Sequence, residues 1–236
     1  MKKMLVIGGS SGYGLGVARH MAARGWQVTT AQRTPTNEFG FMPLDLTSVD
    51  VGEQLDAIIA TLREIDAIVI AAGVALDTRL LCAERQRNDI EKLLLTNVLG
   101  FTYACQLGKM LTPGGTLINV GSISQRANYV GGVEYCASKA YQQSLLNGLR
   151  LEFMPRGVRV TNIAVGMGDT GFHNTRFDGD SNMAKLVTQG VEMLTPSSLG
   201  ALVEQVVSLP INQRINELIF TPFDQPEHGY KKSSIN

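Results

Sequence analysis

The sequence predicts an α/β fold with helices on both faces of a mainly parallel sheet of about seven strands. Three observations predict it. Short apolar runs alternate with longer segments of helical periodicity along the whole chain. The first run, residues 4–7, stops at Gly8-Gly9 and feeds directly into a helical stretch, as a buried parallel strand does. The polar residues of chemical interest follow apolar runs, which in such a sheet puts them at the carboxyl ends of strands, where ligands bind.

The elements follow in order. Residues 4–7, 28–31, 41–44, 67–72, 116–120, 158–164 and 218–220 are the strand candidates. They are short, apolar and bounded by Gly, Pro or polar clusters. Residues 15–24, 51–62, 89–110, 133–153, 183–193 and 199–209 are the helix candidates. Gly25 closes the first, and Thr47 and Ser48 are plausible caps for the second. Pro155-Arg156-Gly157 ends the fourth, and residues 166–180 read as an irregular loop. Strand–helix–strand succession implies right-handed crossovers, hence a Rossmann-type doubly wound sheet. A length of 236 residues suits one such domain spanning 1–236, since α/β domains run to about 200–250 residues.

Composition narrows the function. Lys and Arg total 21, as do Asp and Glu, so no polyanion-binding surface is expected, and neither nucleic acid nor membrane is an expected partner. Cys82, Cys105 and Cys136 are widely spaced, which fits a reducing compartment better than a disulfide framework or a zinc site. The apolar run after Met1-Lys2-Lys3 is far shorter than the roughly 7–15 residues of a signal core. A cytoplasmic protein without metal is expected.

The stretch Gly8-Gly9-Ser10-Ser11-Gly12-Tyr13-Gly14 joins the first strand to the first helix. Glycines there admit a phosphate close to the backbone, and the helix start offers unpaired N–H groups. A tight turn with no ligand is the plain alternative. After the second strand an NAD-specific site places an acid for the ribose 2′-hydroxyl. This chain has Ala31-Gln32-Arg33-Thr34 instead, and a guanidinium at Arg33 suits a 2′-phosphate. NADP(H) is therefore favoured over NAD(H).

Tyr135 and Lys139 stand four residues apart in a predicted helix, on one face. A phenol titrates near 10, and a neighbouring ammonium favours its ionised form, making it a usable proton carrier. Ser122, at the end of the fifth strand, has a hydroxyl able to polarise a substrate oxygen, and Asn97 is unusual in an otherwise apolar helix.

These residues together resemble the short-chain dehydrogenase/reductase family. Gly8, Gly12 and Gly14 match its Gly-xxx-Gly-x-Gly, Tyr135-xxx-Lys139 its catalytic pair, and Asn97-Val98-Leu99-Gly100 its Asn-Val-x-Gly. Ser122 precedes Tyr135 by a family-like spacing. The resemblance implies an Asn97–Ser122–Tyr135–Lys139 set, with Asn97 holding a water that links Lys139 to solvent. It implies cofactor contacts from Gly8, Ser10, Ser11, Gly12, Tyr13, Gly14, Arg33, Asp45, Leu46, Ala72, Gly73, Tyr135, Lys139 and Thr170. Asp45 would meet the adenine ring, with capping of the next helix as its alternative. Ile7, Ala71, Val165 and Gly168 depart from the family pattern, and the segment at 165–170 is expected to be looser for it. The implied activity is NADP(H)-dependent carbonyl reduction or alcohol oxidation on a small-molecule substrate. A ketoreductase of a carrier-bound or cyclic intermediate is an alternative, as is a nucleotide sensor without turnover. A substrate loop or lid is expected at about 166–195, with specificity from residues 125–130 as well. The family's usual assembly through the helices at 89–110 and 133–153 implies a homodimer or homotetramer. His173 and His228 are expected to be solvated, His20 to sit on a helix surface, and Arg85-Gln86-Arg87 to form a solvated face.

Overall fold

Seven strands form one parallel sheet: β1 (Lys3–Ile7), β2 (Gln27–Gln32), β3 (Gly40–Pro43), β4 (Ile65–Ile70), β5 (Leu111–Ser122), β6 (Arg159–Val165) and β7 (Glu217–Phe220). Their order is β3-β2-β1-β4-β5-β6-β7, and every neighbouring pair is parallel. The structure is a computed structural model that describes residues 1–82 and 85–225. The order reverses between β1 and β4, which opens a crevice at their carboxyl ends.

The strand period of two sorts the core into two layers. Leu5, Ile7, Ile68, Ile70 and Leu117 point to one face, under α2 (Val51–Leu62) and α5 (Val133–Phe153). Met4, Val6, Ala67, Val69, Ile118 and Val120 point to the other, under α1 (Gly12–Ala23) and α8 (Pro196–Val207). With both faces covered, the central strands are apolar throughout, which explains why they read as continuous runs.

The stretch expected as one helix over 89–110 is helical but not uniform. It runs as α3 (Arg87–Leu94), a π turn at Leu95–Gly100, α4 (Phe101–Gln106) and a 3-10 turn at Leu107–Met110. Strand β5 starts earlier than residue 116, because the pairing with β4 slips between Ile65 and Ala67 and absorbs Pro113-Gly114-Gly115 as an irregularity. The expected loop at 166–180 contains a short helix, α6 (Phe172–Arg176). The helix expected at 183–193 is α7 (Ser181–Thr188), started by Asp180, whose carboxylate accepts from the N–H groups of Asn182 and Met183. Likewise α8 starts at Pro196 because Thr195 accepts from the Ser198 N–H. Thr47 and Ser48 do not cap α2. Asp50 is its first flanking residue, and Thr47 and Ser48 shape the turn before it. Among the described residues no helix is long and apolar enough to cross a membrane.

Candidate functional site

At the switch point the glycine loop and the ends of β1, β4, β5 and β6 enclose a cleft of about 810 Å³. Gly8 and Gly12 adopt positive φ, and a Cβ at Gly14 would lie 2.1 Å from the Gly8 carbonyl oxygen. Glycine is thus required for the loop to fold back on itself. Ser11 is the N-cap residue of α1, yet its side chain makes no capping bond, so the first amides of this helix face the cleft. Gly8, Ser10, Ser11, Gly12, Tyr13 and Gly14 all line it. Buried polar atoms without a partner at this wall include Tyr13 Oη and Gln32 Oε1, a pattern that a polar nucleotide would relieve.

Arg33, Asp45, Leu46, Ala72, Gly73 and Thr170 line the same cleft. Arg33 is exposed at its rim. Burial raises the Asp45 carboxyl, but bonds from the Thr47 hydroxyl and N–H, at 2.7 and 2.9 Å, and the charge of Arg33 leave it below its usual value. Asp45 therefore closes its own turn ahead of α2. Thr170 packs over the glycine loop, since a Cβ at Gly12 would lie 3.1 Å from Thr170 Cβ.

Ser122 at the end of β5 and Tyr135 and Lys139 on α5 meet at the inner end of the cleft. Lys139 Nζ lies 5.7 Å from the Tyr135 ring centre, as expected one helical turn away. Ser122 Oγ accepts from the Ser124 N–H at 3.2 Å. Burial pushes the Lys139 ammonium down to about 8. Asn97 does not line the cleft. It is fully buried on the π turn, where Nδ2 donates to Val74 O at 2.7 Å and to Ser138 Oγ at 3.1 Å, while Oδ1 accepts from the Val74 N–H at 2.9 Å. Its side chain pins the loop after β4 to α5.

Residues 2–181 match the model of the family described as short chain dehydrogenase. The chain belongs to the short-chain dehydrogenase/reductase family. It is an oxidoreductase of the dehydrogenase type. It is 29% identical over 241 residues to the serine 3-dehydrogenase of Agrobacterium fabrum, covering 97% of this chain and 96% of that protein. It is 31% identical to the NADP-dependent 3-hydroxy acid dehydrogenase YdfG of Shigella flexneri, covering 96% and 97%. The closed form of serine dehydrogenase complexed with NADP+ superposes with a TM-score of 0.87 at 28% identity, covering 99% of this chain and 98% of that one.

Within this short-chain dehydrogenase/reductase, two of the departures from the family pattern, Gly168 and Ala71, have a local packing context. A side chain at Gly168 would place its Cβ 2.0 Å from Tyr13 Oη, so Gly168 makes room for the larger residue in the glycine loop. The segment is not loose. Leu194 pairs with it through Asp169 N–H to Leu194 O at 2.9 Å and Leu194 N–H to Met167 O at 3.0 Å, and Gln225 accepts from the Met167 N–H at 2.7 Å. Ala71 packs against the place where a Gly14 Cβ would stand, at 3.2 Å.

Two surface expectations are corrected. Arg85 is not a solvated cation: its side chain is 1% exposed and pairs with Asp77 at 2.6 Å and with Glu134 at 2.8 Å. It ties the loop after β4 to the first turn of α5, beside Tyr135. Arg87 and Gln86 are exposed. His173 is not solvated either. It lies on α6 against Phe172, lines the cleft, and has a buried Nδ1 with no partner. Burial, and then the charge of Arg176, push it down to about 4, so it is neutral at physiological pH. His20 is half-buried against α8, 2.7 Å from Glu204. His228 lies outside the described residues. Sequence reading also passed over Gln142, a buried amide in contact with Lys139. Its signal was a polar residue at helical spacing from Lys139, on the inward face of α5.

Proposed function

We propose that this enzyme uses NADP(H) to interconvert a small hydroxy acid with its carbonyl counterpart. The gathering of Ser122, Tyr135 and Lys139 in one cleft with the glycine loop and Arg33 carries the reading. The residues present fit a dinucleotide. Gly8, Ser10, Ser11, Gly12, Tyr13 and Gly14 would hold its diphosphate, Arg33 its 2′-phosphate and Asp45 and Leu46 its adenine side. Ala72, Gly73 and Thr170 would flank the nicotinamide half. When bound, the nicotinamide supplies or accepts hydride at the substrate carbon. Ser122 Oγ donates to the substrate oxygen and orients it. Tyr135 gives that oxygen a proton in reduction and takes it back in oxidation. Lys139, held inside the fold as a cation, stabilises the phenolate left behind. Asn97 fixes the loop and helix that frame Lys139.

Two things support an acid as substrate. The relatives named above act on serine and on 3-hydroxy acids, both carboxylates. On the substrate side, the Arg176 guanidinium lines the cleft between Tyr129, whose hydroxyl is 3.0 Å from Nη2, and His173. Residues 166–195 form the substrate-side cover. A panel of hydroxy acids and matched alcohols without the carboxylate, followed by NADPH absorbance, tests the reading. A higher kcat/KM for the acids is expected, and preference for the neutral alcohols would overturn it.

Cofactor choice follows from Arg33. NADPH is expected to bind more tightly than NADH, and Arg33→Ala is expected to lose about 1.5–3 kcal/mol of NADPH affinity, the worth of a hydrogen bond to a charged group, with NADH unchanged. Titration of both cofactors checks it, and preference retained in the variant would refute the role of Arg33.

The helices at 87–110 and 133–153 leave Leu94, Leu95, Leu99, Tyr141 and Leu151 exposed. Covering them against a second copy gives a homodimer or homotetramer. Sedimentation velocity is expected to show one, and Leu99→Glu to shift it toward monomer. A wild type that sediments as a monomer at all concentrations would refute the assembly.

A further inference from the structure

Lys139 sits in a place from which water is largely excluded, and what it touches there is an amide. Gln142, 1% exposed, lies on α5 one turn beyond Lys139. Lys139 Nζ donates to Gln142 Oε1 at 3.1 Å, and Gln142 Nε2 donates to the Asn97 carbonyl oxygen at 2.9 Å. The amide orientation follows from its partners. A carbonyl oxygen accepts only, so the NH₂ end must face Asn97, and the oxygen end must face the ammonium. The π turn makes this possible. The Phe101 N–H, which in a regular α-helix would bond to the Asn97 carbonyl, bonds to Thr96 O and Val98 O instead.

The amide is itself held. Asn119 Nδ2 on β5 lies 3.5 Å from Gln142 Oε1 and donates to Asn162 Oδ1 on β6 at 2.9 Å. Asn162 Nδ2 donates to Gln125 Oε1 at 2.8 Å, and Gln125 Nε2 donates to Glu217 on β7 at 2.5 Å. A chain of side-chain amides therefore runs from Lys139 across the sheet to an acid that is also paired with Arg126. The groups facing Lys139 are Tyr135 and Gln142 on α5, Asn97 on the π turn, Gly73 after β4 and Asn119 on β5. The amides and the glycine among them carry no formal charge. The oxygen of Gln142 is the acceptor that compensates the buried ammonium.

We propose that Gln142 is a positioning residue for Lys139: its carboxamide, clamped by the Asn97 carbonyl, fixes the ammonium beside Tyr135 and keeps it charged. An amide accepts the lysine hydrogen bond but does not pass a proton on, so this contact holds Lys139 and does not relay through it. The inference rests on the reading of Tyr135 and Lys139 given above.

Gln142→Met keeps the chain length and removes both polar ends, while Gln142→Asn keeps an amide one methylene short of the ammonium. Two measurements decide the matter. The first is the pH profile of kcat for carbonyl reduction. Without its acceptor Lys139 is charged less of the time, so Tyr135, which must be protonated to give its proton in reduction, keeps that proton to higher pH and the alkaline limb moves up. A shift of about one unit is expected, tenfold in rate above the limb. The second needs no turnover. Ultraviolet titration of tyrosinate in the protein without cofactor, with Tyr135→Phe as the subtracted reference, reads Tyr135 directly. Facing a neutral amine, Tyr135 ionises at higher pH in both variants. A merely structural role for Gln142 would scale the plateau and leave both curves in place. Folded variants whose limb and tyrosinate curves superimpose on the wild type overturn the inference. If Gln142→Met does not fold, Gln142→Asn carries both measurements. If instead Tyr135→Phe keeps full turnover, the catalytic reading fails, and the tyrosinate curve alone then judges Gln142.

Discussion

Tyr135→Phe is expected to lose at least about 100-fold in turnover, the lower end of what general acid–base assistance contributes, and up to about 10⁴-fold. The ring stays and the hydroxyl goes, so packing against Phe172, with ring centres 6.2 Å apart, survives. The residue is 8% exposed at the inner end of the cleft, which leaves little room for water to replace the proton donor. NADPH binding is expected to persist, because the glycine loop and Arg33 are untouched. Lys139→Ala is expected to damage turnover and cofactor affinity together, because its ammonium is proposed to serve both Tyr135 and the cofactor ribose. Steady-state NADPH oxidation beside a fluorescence titration separates the two effects. Near wild-type turnover in Tyr135→Phe would remove Tyr135 from the chemistry.

Gly14→Ala is expected to weaken NADPH binding on the order of 100-fold, about 2.7 kcal/mol, and to lower the melting temperature. The added Cβ would stand 2.1 Å from the Gly8 carbonyl oxygen and 2.9 Å from its carbon. Both are backbone atoms, so no side chain can rotate away and the loop itself must move. The amides at the start of α1 then lose their aim at the diphosphate. Gly52→Ala is the matched control. Its Cβ would meet nothing within 4 Å, near the start of α2, and helix propensity favours the alanine by up to about 1 kcal/mol. Gly14→Ala with wild-type NADPH affinity would show that the loop tolerates a side chain and that the diphosphate is held elsewhere.

The sequence by itself determined the sheet and what sits at its ends. Parallel strands covered on both faces must be apolar throughout, so β1, β4, β5 and β6 stand out as runs, and the glycine loop, Ser122 and Thr170 lie where those runs stop. The pair Tyr135 and Lys139 was legible because helix geometry alone brings residues four apart onto one face. Element edges were less legible where a polar cap decides them, as at Asp180 and Thr195, because apolar periodicity carries no information about a cap.

Tertiary structure alone decided what depends on contacts between distant segments. Arg85 reads as a surface cation in sequence, yet Asp77 and Glu134 converge on it across the fold and take it out of solvent. His173 reads as a loop histidine, yet α6 turns it into the cleft, and burial makes it neutral. Gly168 reads as a gap in a family pattern, yet it is the space that Tyr13 occupies. Gln142 reads as an ordinary helix residue. Its role arises because a π turn frees the Asn97 carbonyl and aims it at α5, a pairing of residues 45 apart that no local pattern encodes. Local periodicity is set by neighbours along the chain and survives in the sequence. The charge state of a buried group is set by what the fold brings beside it, and that is written only in three dimensions.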